Sequence, residues 1–108
     1  MPYSVIIQPA AEAELDTHFL RIAREAPENA SAWLDGLISS IESLAHMPLR
    51  CSVAPESQFV RYEIRQLLYG RTGRTYRVLF TIVDDQVHIL HCRHWGQRRM
   101  KPSEFRRA

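Results

Sequence analysis

Tyr76-Arg77-Val78-Leu79-Phe80-Thr81-Ile82, closed by Asp84-Asp85 and followed by Val87 to His94, is the stretch that decides the fold. Tyr76, Val78, Phe80 and Ile82 alternate with Thr75, Arg77, Leu79 and Thr81, the period of a strand with one face in a core and the other in water. Asp84-Asp85 turns the chain back into a further strand over 87–94. Upstream, Val60, Tyr62 and Ile64 alternate with Arg61, Glu63 and Arg65, which predicts another strand, joined to the next through the turn residues Gly70-Arg71-Thr72-Gly73. The three strands form a meander.

Towards the N-terminus the period lengthens. Ala11, Leu15, Phe19, Ile22 and Ala26 recur at steps of three and four after Pro9, one apolar stripe on a helix. Its acids (Glu12, Glu14, Asp16) come early and Arg21 and Arg24 late, as the helix dipole favours. Pro27 interrupts the stripe and can open a second helix at its first turn. Ala30, Trp33, Leu34, Leu37, Ile38, Ile41, Leu44 and Ala45 make the stronger stripe, closed by Met47-Pro48. The short break predicts an antiparallel helical hairpin. Tyr3 to Ile7 is short and rich in β-branched residues, a first strand. Residues 48–59 hold two prolines and no period, which reads as a loop, and 98–108 reads as a basic tail or short helix.

The expectation is therefore a single α+β domain over 1–108, β-α-α-β-β-β, with a helical hairpin on one face of an antiparallel sheet. The other face stays open, displaying Arg61, Glu63, Arg65 and Arg77.

With 108 residues, 45% of them hydrophobic and 24% charged, the chain can bury a core without a metal or disulfide, and disordered or fibrous classes are excluded. No apolar run is long enough to span a bilayer, and the first residues lack the features of an export signal, so the expectation is a cytoplasmic protein with no membrane partner. Cys51 and Cys92 are then expected as free thiols. The net charge of +2 conceals an asymmetry: residues 1–60 carry three basic side chains against eight acidic, and 61–108 carry eleven against four. The halves are −5 and +7, and the basic half is expected to face a polyanion or an acidic protein.

Tyr62-Glu63-Ile64-Arg65-Gln66-Leu67, the glycine turn, Tyr76-Arg77-Val78-Leu79-Phe80, Asp84-Asp85, an apolar strand and Gly96-Gln97-Arg98 together resemble the RelE/ParE superfamily of toxins from type II toxin–antitoxin systems. The resemblance runs over nearly the whole chain and lies in the order and spacing of these pieces. It implies one of two activities. Ribonuclease members cut mRNA on the ribosome, with basic side chains at positions matched here by Arg65, Arg77 and Arg98. ParE-like members inhibit DNA gyrase by binding it. A non-toxic member that only binds its antitoxin and co-represses is a third outcome. Two positions depart from the ribonuclease pattern: Phe105 stands where many members have a tyrosine, and Glu63 where some have a lysine.

Metal-free RNA cleavage needs a base for the 2′-hydroxyl, cations for the phosphorane-like transition state and an acid for the leaving oxygen. Arginine suits the middle task because its planar fork stays protonated. The candidate set is Glu63 and His94 as base and acid, with Arg65, Arg77 and Arg98 on phosphate, and Arg61, Arg74, Trp95 and Phe105 in substrate contact. The alternative for Glu63 is a surface ion pair with Arg61 or Arg65. Trp95 either stacks on a base or packs under the tail. Strict alternation puts His88 and His94 on one face and His91 on the other, so no metal site is expected, and no cofactor. The partners expected are a small acidic antitoxin, forming a hetero-oligomer across the basic face, and either ribosome and mRNA or DNA gyrase.

Overall fold

The computed structural model describes residues 2–71, 74–97 and 100–105. Strand β1 (Ser4–Ile7) leads into helix α1 (Pro9–Glu25), and helix α2 (Pro27–Glu42) runs back along it. A 3₁₀ turn at Ser43–Ala45 extends α2. Strands β2 (Ser52–Val53), β3 (Arg65–Tyr69), β4 (Tyr76–Val83) and β5 (Gln86–His94) follow, with a 3₁₀ turn at Pro102–Phe105. The sheet order is β1-β5-β4-β3-β2. The α+β architecture is the expected one, two helices on one sheet.

The sheet is mixed rather than wholly antiparallel, because β1 runs parallel to β5, with Val5 opposite Val87 and Ile7 opposite Ile89. A helical hairpin separates β1 from the meander, so no tight turn constrains its direction. The expected loop 48–59 supplies a fifth strand, β2, which pairs with the start of β3.

The strand expected to begin at Val60 begins instead at Arg65. The alternation over 60–64 is real but serves another packing. Ile64 is fully buried, and Val60 packs beside it. The Ser57 hydroxyl replaces a neighbouring strand for this segment, accepting from Ile64 N–H at 2.7 Å and donating to its carbonyl at 2.8 Å. Backbone polar groups taken from water must find partners, and here a side chain provides them.

On α1 the buried residues are Ala11, Leu15 and His18, so the stripe passes through His18, while Phe19 lies at its edge. On α2 they are Ala30, Leu37 and Ile41, continued by Leu44 in the 3₁₀ turn. These meet Val78, Phe80, Val87, Ile89 and Cys92 from the sheet. Each fully buried Leu, Ile or Phe contributes about 1.5–3 kcal/mol by removal from water. Both cysteines are buried free thiols, as expected.

The far face of the sheet is not bare. Leu79, assigned by alternation to the wet side, is fully buried there with Ala54, Ile64 and Met100, under Val60, Leu90 and Phe105. The chain on either side of the meander folds back to cover it. A bulge accompanies this packing: Leu79 pairs with His91 but Phe80 with Ile89, leaving Leu90 as an extra residue in β5.

Candidate functional site

Register decides which side chains can meet. Arg77 on β4 stands directly opposite Arg93 on β5, and both project on the face away from the helices. Arg65 pairs with Phe80, whose ring lies in the main core, so it starts from the opposite face. Three residues separate Phe80 from Arg77, and an odd separation along a strand reverses the face.

Arg77 is held in a fork. Its Nη1 and Nη2 donate to Glu56 Oε2 and Oε1 at 2.9 and 2.7 Å, while Nε and Nη2 donate to Gln66 Oε1 at 3.0 and 2.9 Å. The two side chains of the ion pair are 14% and 3% exposed, so both charges are withdrawn from water. Such a pair persists only with added hydrogen bonds, which Gln66 supplies. Glu56 carries no sequence signal, as a lone acid in an aperiodic stretch; only the fold brings it beneath β4.

Arg65 is similarly occupied. Its Nε lies 2.8 Å from Glu63 Oε1, and Nη1 donates to the carbonyls of Cys51 at 2.5 Å and Leu49 at 3.3 Å. It ties the loop before β2 to the entry of β3. Glu63 and Arg65 do come together, in the ion-pair arrangement weighed above for Glu63.

His94 pairs with Tyr76 and its ring stands edge-on to that residue, with centroids 5.0 Å apart. Tyr76 makes the same type of contact with His18 and Trp33, and its hydroxyl oxygen accepts from Arg21 at 2.6 Å. His94 thus belongs to an aromatic group on the helical side, and it also lines a small pocket that Arg77 and Arg93 floor. Arg98 lies outside the described residues. Arg61 and Arg74 are exposed, Trp95 is 59% exposed, and Phe105 packs edge-on to His91 at 5.2 Å.

The bulge at Leu90 also changes the histidines. His88 pairs with Thr81 and His91 with Leu79, so these two share the far face and His94 faces the other way, unlike the strict alternation. Gln8 and Gln86 flank the His88 ring at 2.8 and 3.0 Å.

Beyond the end of β1, one edge of β5 is open, and α1 closes it with side chains that sequence periodicity did not single out. Cys92 N–H donates to Glu14 Oε1 at 3.0 Å, and His18 Nε2 lies 2.9 Å from the Cys92 carbonyl. That carbonyl accepts, so His18 carries its proton on Nε2. Burial lowers the His18 pKa, against a smaller raising effect of this hydrogen bond. Burial likewise pushes the Cys92 thiol up to about 12, with Glu14 adding to the effect.

Concavities among the described residues include the following pair. A groove of about 930 Å³ runs past apolar side chains such as Tyr62, Ile82, Leu90 and Phe105, with polar ones including Glu63, Arg65, His88, His91 and Glu104 among them. A smaller pocket of about 290 Å³ lies over Arg77 and Arg93, rimmed by Trp95 and Gln97. No helix among the described residues is long and apolar enough to cross a membrane.

The fold is thus a two-layer α+β domain with a large groove of mixed lining, its strand arginines paired within the fold. The chain belongs to the ParE toxin family of type II toxin–antitoxin systems, parDE, whose family model matches residues 5–99. A solved structure described as the chromosomal ParDE toxin–antitoxin system from P. aeruginosa shares the fold, with a TM-score of 0.69 at 18% identity over 85% of this chain and 95% of that one. No curated protein matches the chain by sequence.

Proposed function

We propose that this toxin arrests growth by binding DNA gyrase and that it does not cut mRNA. The observation that carries this reading is the fork of Arg77 on Glu56, at 2.7 and 2.9 Å. A phosphate-binding arginine must offer its donors to the substrate, whereas this one has given them to a buried carboxylate and to Gln66. Arg65 is paired with Glu63 and starts from the other face of the sheet. Glu63 and Arg65 line the large groove whereas Arg77 and His94 line the small pocket, so the four do not surround one phosphate, and a gyrase inhibitor needs only a complementary surface.

Family membership implies an antitoxin. Its docking segment fits the 930 Å³ groove, where exposed Tyr62, Leu49 and Val83 otherwise lie open to water. An amphipathic segment laying apolar side chains there and carrying acids to the basic half matches both the lining and the charge asymmetry.

Two assays decide the mechanism. Purified toxin added to gyrase should block supercoiling, and mRNA 5′ ends in cells expressing it should match those of controls. Unaffected gyrase at saturating toxin, or new 5′ ends within translated messages, would overturn the reading and restore Arg65, Arg77, His94 and Arg98 as nuclease candidates.

A further inference from the structure

We infer that the end of the sheet carrying Trp95 binds an unpaired nucleotide of a DNA strand. This rests on the gyrase reading, because DNA is the substrate that gyrase holds. Trp95 leaves more than half of its surface in water although it sits on an ordered turn. Its N–H donates to the Thr75 carbonyl at 2.8 Å. Behind it, Gly96 N–H donates to His94 Nδ1 at 3.2 Å and Gln97 N–H to the His94 carbonyl at 2.9 Å. The turn thus holds an indole outward in a fixed place, which lowers the ordering cost of a stacking contact.

Beside it the surface is cationic. Thr75 hydrogen-bonds through its hydroxyl to the Arg71 carbonyl at 2.9 Å, and Arg74 N–H donates to the same oxygen at 2.8 Å. Exposed Arg71 and Arg74 are thereby fixed in backbone position next to Thr75, and so next to Trp95. No acid occurs in residues 64–83 or 86–103, and Glu56, which lines the adjoining pocket, has its charge met by Arg77. An exposed aromatic flanked by arginines is the arrangement that stacks bases and follows a phosphate backbone.

The pocket that Trp95 rims, about 290 Å³, has room for one base and is too small for a helix. Its amides point a particular way. Gln97 Oε1 accepts His94 N–H at 2.6 Å, and Gln66 Oε1 accepts from Arg77, so each amide turns its NH₂ away from those donors. Neither NH₂ has a hydrogen-bond partner among the described residues. Two amide donors unpaired among the described residues suit a base with two carbonyl oxygens, as thymine has, and give adenine no carbonyl to meet.

Fluorescence anisotropy of labelled oligo(dT) with the purified full chain tests this without gyrase present. Oligo(dT) should bind more tightly than oligo(dA) or duplex DNA. Trp95→Ala should weaken it roughly 5- to 100-fold, with Trp95→Phe intermediate, the loss of one stacked base. Arg74→Ala should reduce the log–log salt slope by about 0.7, one single-strand phosphate contact. Equal affinity for oligo(dT), oligo(dA) and duplex, indifference to Trp95→Ala in a variant with an unchanged melting curve, or displacement of oligo(dT) by an acidic peptide at lower concentration than by free oligo(dT) would overturn it. A chain that blocks supercoiling yet ignores oligo(dT) removes this inference alone. One that binds oligo(dT) and leaves gyrase unaffected removes the gyrase reading.

Discussion

Arg77 and Glu56 form a bidentate pair with both charges withdrawn from water, although 21 residues separate them and Glu56 lies outside the sheet. The pair anchors the segment after β2 beneath β4. Arg77→Ala would remove the bidentate partner of a buried carboxylate, at a cost of up to about 3–5 kcal/mol. Chemical denaturation should show that loss, and the double variant Arg77→Met, Glu56→Leu should recover much of it. An Arg77→Ala variant of unchanged stability would mean that the pair carries no structural role.

Acid should weaken the clamp of α1 on β5. Burial holds the His18 pKa below its ordinary 6.5, so the unfolded chain takes up a proton first as pH falls. The neutral-His18 contribution is full above pH 6.5, declines below it and is lost as pH passes the folded value. Urea midpoints measured from pH 8 to 5 should fall over that window. His18→Gln, which keeps an N–H donor and cannot titrate, should flatten the dependence even if it lowers overall stability.

Both cysteines should resist alkylation in the folded protein. Cys92, with a pKa near 12, is almost wholly protonated at neutral pH, and burial also raises the Cys51 value. Iodoacetamide labelling should follow unfolding, with rapid reaction only in denaturant. Fast labelling of Cys92 under native conditions would show that the edge of β5 opens readily.

The β4–β5 turn places Asp84 at φ 55°, in the left-handed region. Asp84→Gly should be neutral or stabilising, and Asp84→Val destabilising by about 1–2 kcal/mol, since a β-branched residue disfavours that conformation. Thermal melts of the pair check this directly.

Tyr62, exposed at the lip of the large groove, offers a test of antitoxin docking. Tyr62→Asp should weaken antitoxin binding by at least about tenfold, the scale of losing an aromatic anchor and setting a charge in an apolar contact. Titration calorimetry with the cognate antitoxin reads the change, and an unaltered affinity would place the docking segment elsewhere.

Much of the fold was legible because helices and strands announce themselves through local periods. The stripes led by Leu15 and Leu37 set the two helices, and the alternation from Tyr76 to Ile82 set β4. The fold family followed from the order of these pieces. Two details carried faint marks. The adjacent apolar pairs Leu79-Phe80 and Ile89-Leu90 break alternation where the second small core and the bulge occur. His18, next to Phe19, carries no apolar signal, because a histidine suits a core only when its ring nitrogen has a buried carbonyl to meet.

Local pattern along the chain accounts for the two helices, their hairpin, the meander and the division into an acidic and a basic half, because neighbouring residues suffice for each. Where the arginines go depends on contacts between distant segments. Arg65 and Arg77 are both on strands and both basic, yet their faces depend on register across β3 and β4, and the charge of Arg77 on a carboxylate the fold delivers. Glu56 reaches Arg77 only after the segment following β2 crosses the far face, and no local pattern encodes that crossing.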